Sequence, residues 1–521
     1  MIAEIILSLF YTALFVWIIR KWHFLRCWPL NKDVATCIFI LKILAGIVLT
    51  LIYTYYYKVR VEADIFKFFD DSKYIYNALF INPLHYIQLV FGINADADYL
   101  QAYTTGTKFW AIQSPAYQEF MSTENFNFFN AHRFITRFNA IVRIFSFGHF
   151  TVHTIFMSFL SFLGLMAFFK TLYPFLSKKS FGLITAVFLM PAVVFWSSGV
   201  LKEGFIFLAL GLLVYAFFNA VHNSLFNIKN LILLFAASLF LIFLKYYVFI
   251  VLIIPMISYF IAHRIKIKRV LYIYLIGYIT VFFIMILLSS FTKTTGPLKI
   301  LADKQSEQIK EAYGGTYCIY NNEIIKEIVY FPPDVELQKT VIDSSRHIFT
   351  IQEGIWAYNY KDGKLTGDSL LINAAALENA YFYEVYSRPR AGSCINIPTL
   401  KPELVSFIKA LPVALFNAFF RPHLFDINNV FALIAATENL FVLMLFLSLI
   451  FFGKIDKEKL NLVLFMTFSV LSLFLIIGLT TPVLGNIVRY KAPFMPFLYV
   501  IYLLLLNDKK WKSFFMIIRN N

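Results

Sequence analysis

Apolar runs of about 20 residues, the length a helix needs to cross the hydrocarbon core of a bilayer, recur along most of this 521-residue chain. Their positions are roughly 3–19, 36–57, 151–169, 182–197, 204–220, 231–244, 246–262, 270–290, 428–452, 461–479 and 493–507. Read as single helices, 182–220 and 231–262 would be about 58 and 48 Å long at 1.5 Å per residue, against a core of about 30 Å. Each is therefore expected to double back, at Ser197–Glu203 and near Lys245. The expectation is an all-α polytopic membrane protein with about eleven transmembrane helices and a small mixed α/β or irregular loop domain on the outer side.

Composition supports the bilayer as solvent. Hydrophobic residues make up 60% of the chain and charged ones 15%, where a soluble fold carries about 25% charged. The net charge of +16 does not indicate nucleic acid, because the cations fall in short clusters between apolar runs. That is how membrane proteins set their orientation. Segments 20–33, 170–181, 221–230, 263–269, 453–460 and 507–521 together hold 19 Lys and Arg against four acids. The long segments 58–150 and 291–405 hold 20 against 22. The first basic cluster follows the first run, which predicts a retained first span. The N-terminus is then expected outside and the C-terminus in the cytoplasm, with a bacterial plasma membrane as the setting.

The chain divides into two N-terminal spans (1–57), a first outer loop (58–150), a transmembrane core (151–290), a large outer loop with an interfacial helix (291–427), C-terminal spans (428–507) and a basic tail (508–521). Segment 404–420 is expected to lie along the outer interface, since counting it as a span would invert both basic loops that follow. The stretch 132–150, with Arg133, Arg137 and Arg143 among apolar residues, reads similarly. Cys318 and Cys394 share the second loop and could pair there.

Some cations escape the orientation rule. Lys202, Lys245, Arg421, Arg489 and Lys491 all sit at the outer ends of spans, where Lys and Arg are disfavoured. Singly they read as snorkelling side chains; together they could surround an outward-facing lipid phosphate. An acidic group faces them along the sequence: Asp64, Asp70 and Asp71 follow closely on the second span. Asp64 and Asp71 share a face if the segment is helical. As a solvated loop these are ordinary acids; beside a cationic site, one carboxylate could serve as a general base, its basicity raised among Phe66, Phe68, Phe69, Tyr74 and Tyr76. The Asp70–Asp71 pair alternatively offers oxygen ligands to a divalent cation. Lys202 and Glu203 can form an ion pair at the hairpin mouth. Glu438 lies within a span and is either functional or bonded to a neighbouring helix. His149 and His153 stand four apart, without the Glu of a zinc-protease motif.

In three places the chain resembles the GT-C glycosyltransferases, multispanning enzymes that take a sugar from a polyprenyl-phosphate or diphosphate lipid. These are Ala63-Asp-Ile-Phe-Lys-Phe-Phe-Asp-Asp-Ser72 just past a span, Pro191-Ala-Val-Val-Phe-Trp-Ser-Ser-Gly-Val-Leu-Lys-Glu203 at an outer turn, and Arg489-Tyr490-Lys-Ala-Pro-Phe-Met-Pro496 opening a late span. The resemblance implies a GT-C-like fold and sugar transfer to a glycan, lipid or protein acceptor in cell-envelope polysaccharide biosynthesis. Asp64, or the Asp70/Asp71 pair, would be the base. Arg489 and Arg421, then Lys202, Lys245, Lys491 and Tyr490, would hold the lipid phosphate. The 291–405 loop, with its turn at 361–364, would cap the site. The extra first span and the position of that loop depart from the pattern, leaving a Wzy-like oligosaccharide polymerase or ligase as an alternative. A lipid-linked glycan transporter or flippase, or a non-catalytic scaffold, are rivals from other classes.

Overall fold

Hydrocarbon offers no partner to a backbone N–H or C=O, so a chain this apolar must satisfy its backbone within helices. A computed structural model describes residues 2–27, 29–56, 60, 63–107, 110, 131–223, 227–265, 269–291, 296–321, 326–331, 339–343, 348–351, 355–361, 364–372 and 381–511. Among them, nine helices are long and apolar enough to cross a membrane. They are Ile2–Lys21, Lys32–Tyr56, Phe150–Leu189, Lys202–His222, Ile228–Ile265, Val270–Phe291, Val430–Phe452, Leu460–Thr480 and Leu484–Leu505. The protein is a polytopic integral membrane protein.

Two of these nine reverse direction. Lys245, inside Ile228–Ile265, has non-helical φ −155° and ψ 86°. Its Nζ lies 3.4 Å from Glu203 Oε1, at the start of the 202–222 helix. Tyr259 meets His222 at the far end of that helix, its hydroxyl 2.8 Å from His222 Nε2. The segment therefore climbs to Lys245 and descends again. Similarly, the helix Phe150–Leu176 turns at 177–179, and the chain returns through Pro191–Trp196 until the Ser161 hydroxyl donates to Ser197 O at 2.6 Å.

Close packing in the bundle depends on small residues, as expected where apolar burial alone cannot favour one helix contact over lipid. A Cβ on Gly211 would stand 1.9 Å from Gly164 O, so the 150–176 and 202–222 helices touch backbone to backbone. The same device recurs in Leu404–Phe420, the segment expected along the outer interface, which packs against Leu460–Thr480. Ala410, Ala414 and Ala418 recur every fourth residue and are buried on its packed face, and a Cβ on Gly478 would stand 1.9 Å from Ala414 O.

The stretch read as a second interfacial helix is also tied in. Ala131–Ser146 packs on the helix Asp64–Ile81, and its arginines are anchors. Arg143 donates to Ser72 Oγ at 2.7 Å and Phe69 O at 2.6 Å. Arg137 donates to Leu89 O at 2.9 Å, and Arg133 pairs with Asp96 at 2.7 Å.

The segment after Val270–Phe291 begins with the helix Pro297–Tyr313 and continues into an antiparallel sheet. Its described strands are β1 (Gly315–Asn321), β2 (Lys326–Phe331), β3 (Lys339–Asp343), β4 (Ile348–Ile351), β5 (Ile355–Lys361), β6 (Lys364–Ile372) and β7 (Tyr381–Arg388), in the order β3-β4-β7-β1-β2-β5-β6. Gln305 joins this region to the bundle, its amide donating to Leu479 O at 2.6 Å. Cys394 is a free thiol. The Cys318 side chain, residues 362–363 of the expected turn and the tail from 512 onward lie outside the described residues.

Candidate functional site at the ends of four helices

The site begins with two helix starts. Asp64 opens the helix Asp64–Ile81, and Glu203 lies in the first turn of Lys202–His222. A carboxylate at a helix N-terminus is favoured by the helix dipole, so each acid sits well in its own helix. Ala63, Ile65 and Phe66 are buried against Leu49 and Leu201, which brings one helix start onto the other. The third contributor is Leu484–Lys491, the short helix opening the last span, which carries Arg489. The fourth is the break at Lys245.

Arg489 is the centre. Its Nη1 donates to Asp64 Oδ2 at 2.9 Å, and its Nε lies 2.9 Å from Glu203 Oε1. The same Glu203 oxygen is 3.4 Å from Lys245 Nζ. Lys245 Nζ also sits 4.0 Å from the centroid of the Tyr490 ring, and the Arg489 guanidinium 5.9 Å from that of Trp196, both in the range of cation–π attraction. Lys202 Nζ is 2.7 Å from His132 Nε2. Where the amine donates, this ring nitrogen is the acceptor, as suits an uncharged imidazole.

Exposure separates the two acids. The Glu203 side chain is 1% exposed and that of Asp64 35%, with Arg489 between them at 12%. Glu203 Oε2 is buried with no hydrogen-bond partner among the described residues. Burial on its own would raise the Asp64 carboxyl, but the Arg489 guanidinium, by charge and hydrogen bond, and then Lys202 hold it at about 2. Burial, reinforced by Lys202, keeps His132 well below the usual histidine range. Sequence reading anticipated an Asp64 made more basic by aromatic neighbours; in this arrangement the cations outweigh burial and the carboxylate is less basic than usual.

The remaining sequence candidates divide. Asp70 turns away from Arg489 and pairs with Arg60 at 2.8 Å, half-exposed. Asp71 is buried. Adjacent residues on a helix point about 100° apart, so Asp70 faces Arg60 while Asp71 faces the interior. Among the described residues no group of three or more His, Cys, Asp or Glu side chains is placed to hold a metal ion. Arg421 lies 3.7 Å from Asp426 rather than in the Arg489 cluster. Lys491 projects to another side of its helix, donating to Asn439 Oδ1 at 2.8 Å and to Arg421 O at 3.3 Å. Glu438 takes the neighbouring-helix role: it accepts from Ala192 N–H at 3.0 Å, at the start of Pro191–Trp196, and from the Tyr499 hydroxyl at 2.8 Å. His149 and His153 do not converge. His153 is buried between Asn139 Oδ1 at 2.7 Å and Ser146 Oγ at 2.8 Å, and His149 is 3.9 Å from Glu4.

Two contributors were missed in the sequence. His132 carries no signal there, because only the packing of Ala131–Ser146 brings it to Lys202. Lys42 did carry one: a lone lysine inside an apolar run is a candidate by depth alone. It is buried and donates to Ser197 O at 3.3 Å and to both hydroxyls of Ser197 and Ser198, which fixes the turn that leads into Lys202.

Three cations and two carboxylates thus meet at one end of the bundle, with a neutral imidazole beside them. Such a place can accept an anionic group by exchanging one carboxylate for it. No family model, curated protein or solved structure matches this chain.

Proposed function

We propose that the protein is a membrane glycosyltransferase that moves a sugar from a polyprenyl-phosphate or diphosphate carrier to an acceptor hydroxyl in cell-envelope glycan assembly. The reading takes the chain to cross the membrane eleven times, with the N-terminus and the Arg489 end outside. The observation that carries it is the contact of Arg489 with both Asp64 and Glu203, at 2.9 Å each. It supplies a guanidinium for a phosphate and an adjacent, partly exposed carboxylate for a proton.

The chemistry follows from that pairing. Asp64, held at about 2 by Arg489, is a weak base while the site is empty. A lipid phosphate that takes the Arg489 Nη face displaces Asp64, whereas Glu203 and the helix around it keep the guanidinium in place. The freed carboxylate regains basicity as its cation is neutralised. It then accepts the proton of the acceptor hydroxyl. That oxygen bonds to C1 of the sugar as the C1–O bond to phosphate breaks, and the electron pair leaves on the phosphate oxygen. Arg489, with Lys245 and Lys202 close by, holds the charge that develops there; such fixed charges are a large part of catalysis. Lys491 donates to the Arg421 carbonyl and Arg421 faces Asp426, and both have a structural part in this scheme.

The test is the lipid fraction of a strain lacking the gene. A transferase predicts that a polyprenyl-linked sugar accumulates and returns to its normal level on complementation by wild type, but not by Asp64→Asn. Unchanged lipid-linked sugars and surface glycan would refute it.

A further inference from the structure

At the opposite end of the bundle, the connection between Ile2–Lys21 and the helix Lys32–Leu51 borders an open cavity of about 610 Å³. It is lined by Arg20, Lys21, Arg26, Cys27, Leu30, Asn31 and Lys32. Four of these are cations, and Asp33 is the acid closest to them in the chain. Arg20 pairs with Asp33 at 2.6 Å. Arg26 donates to the carbonyls of Arg20 and Lys21, across the last turn of the first helix. Those contacts fix two guanidinium groups at the rim, and the Lys21 and Lys32 side chains complete the lining from exposed positions.

The cavity's depth identifies its occupant. It lies where one apolar helix ends and the next begins, which is the boundary of the hydrocarbon core. Trp22, 46% exposed beside it, is the residue type that anchors at headgroup level. Leu30 and Cys27 supply an apolar floor. Phe24, next in the connection, is covered by Lys170 from the third span, with Nζ 4.4 Å from the ring centroid, adding a fifth cation nearby. Basic pockets between transmembrane helices bind anionic lipid headgroups through Coulomb attraction and hydrogen bonds to phosphate. A soluble anion would meet the same charges without the apolar contacts.

We propose that this cavity is a binding site for the headgroup of an anionic phospholipid in the leaflet opposite the Arg489 site. The inference rests on the membrane-spanning helices and is independent of any transferase activity. Lys21 and Lys32 make the discriminating contacts, because they are not committed to holding the connection together.

The experiment is native mass spectrometry of the full chain in detergent, titrated with phosphatidylglycerol, phosphatidylcholine or inorganic phosphate. Wild type should retain phosphatidylglycerol at least about 30-fold better than phosphatidylcholine, and inorganic phosphate should not displace it. Neutralising both lysines in Lys21→Gln/Lys32→Gln should weaken phosphatidylglycerol by roughly 30-fold, the worth of two basic side chains at an anionic surface, and leave phosphatidylcholine unchanged. Both positions are exposed, and an unchanged thermal unfolding temperature confirms that the variant is folded. Equal retention of the two lipids, displacement by inorganic phosphate, or a folded variant that keeps the preference would each overturn the site.

Discussion

Arg489 Nη1 stands 2.9 Å from Asp64 Oδ2 although 425 positions separate the two residues. Such a contact requires both the opening of the last span and the start of the first non-spanning helix to reach one point. Glu203, 1% exposed, grips the same guanidinium from the other side. The ion pair is therefore asymmetric, with one partner open to exchange and the other enclosed.

Arg489→Ala should lower sugar transfer by about 10²–10³-fold, the usual cost of removing a principal charge-stabilising group. Arg489→Lys should recover only part of this, since a point charge cannot span two carboxylates as a planar fork does. Transfer rates in proteoliposomes, normalised to inserted protein, make the measurement.

Asp64→Asn should reduce transfer by about 10²–10⁴-fold, as expected for loss of a general base. Asp70→Asn should leave it nearly unchanged, because Asp70 pairs with Arg60 in a half-exposed bridge of little energetic worth. Equal effects from the two substitutions would remove Asp64 from its special position.

Glu203→Gln tests the enclosed partner. It leaves Arg489 and Lys245 short of one buried negative charge, and disrupting a buried pair costs on the order of 3–5 kcal/mol. The unfolding temperature in detergent should fall clearly below wild type, and further than for Asp64→Asn, whose carboxylate is 35% exposed.

The pH dependence separates the empty site from the occupied one. The Asp64 carboxyl is held down to about 2 in the empty site. Its pair therefore contributes fully above the ordinary carboxylate range near 4, and that contribution is lost as pH falls towards 2. In the complex, phosphate occupies Arg489 and the carboxyl returns towards its ordinary value. The acid limb of kcat, which reports the complex, should lie at higher pH than that of kcat/KM, which reports free enzyme. Coincident limbs would contradict the exchange. His132, held low by burial, should add no step between pH 6 and 8.

Packing gives a prediction independent of chemistry. Gly211→Val places a side chain 1.9 Å from the Gly164 carbonyl, backbone that cannot yield, and should destabilise the bundle by well over about 1–3 kcal/mol. Gly485→Ala, with nothing within 4 Å of the added Cβ, is the matched control and should unfold like wild type.

Much of the architecture was legible because solvent dictates it. Run length and charge placement identify helices whatever they touch, and excess length alone exposed the reversal at Lys245. The approach of Asp64 to Arg489 was legible only as a suspicion, through carboxylates and cations at the same expected depth. Direction within a depth was not legible: Lys491 lies two residues from Arg489 yet points to Asn439, and Asp70 differs from Asp71 by one helical step. Those outcomes depend on which neighbour each face of Asp64–Ile81 and Leu484–Lys491 meets, and that is decided by elements far away in the chain. The packing of Leu404–Phe420 was hidden for a related reason. Its Ala410, Ala414 and Ala418 face acquires meaning only against Gly478 on a distant helix. His132 was invisible because tertiary packing alone brings it to Lys202.

The most direct test is equilibrium binding of a polyprenyl phosphate to wild type, Asp64→Asn and Arg489→Ala, measured beside sugar transfer by the same preparations. If the phosphate displaces Asp64 from Arg489, Asp64→Asn should bind at least as tightly as wild type, having lost the competing carboxylate, while failing to transfer. Arg489→Ala should do neither. Weaker binding by folded Asp64→Asn, or normal binding by Arg489→Ala, would contradict the account.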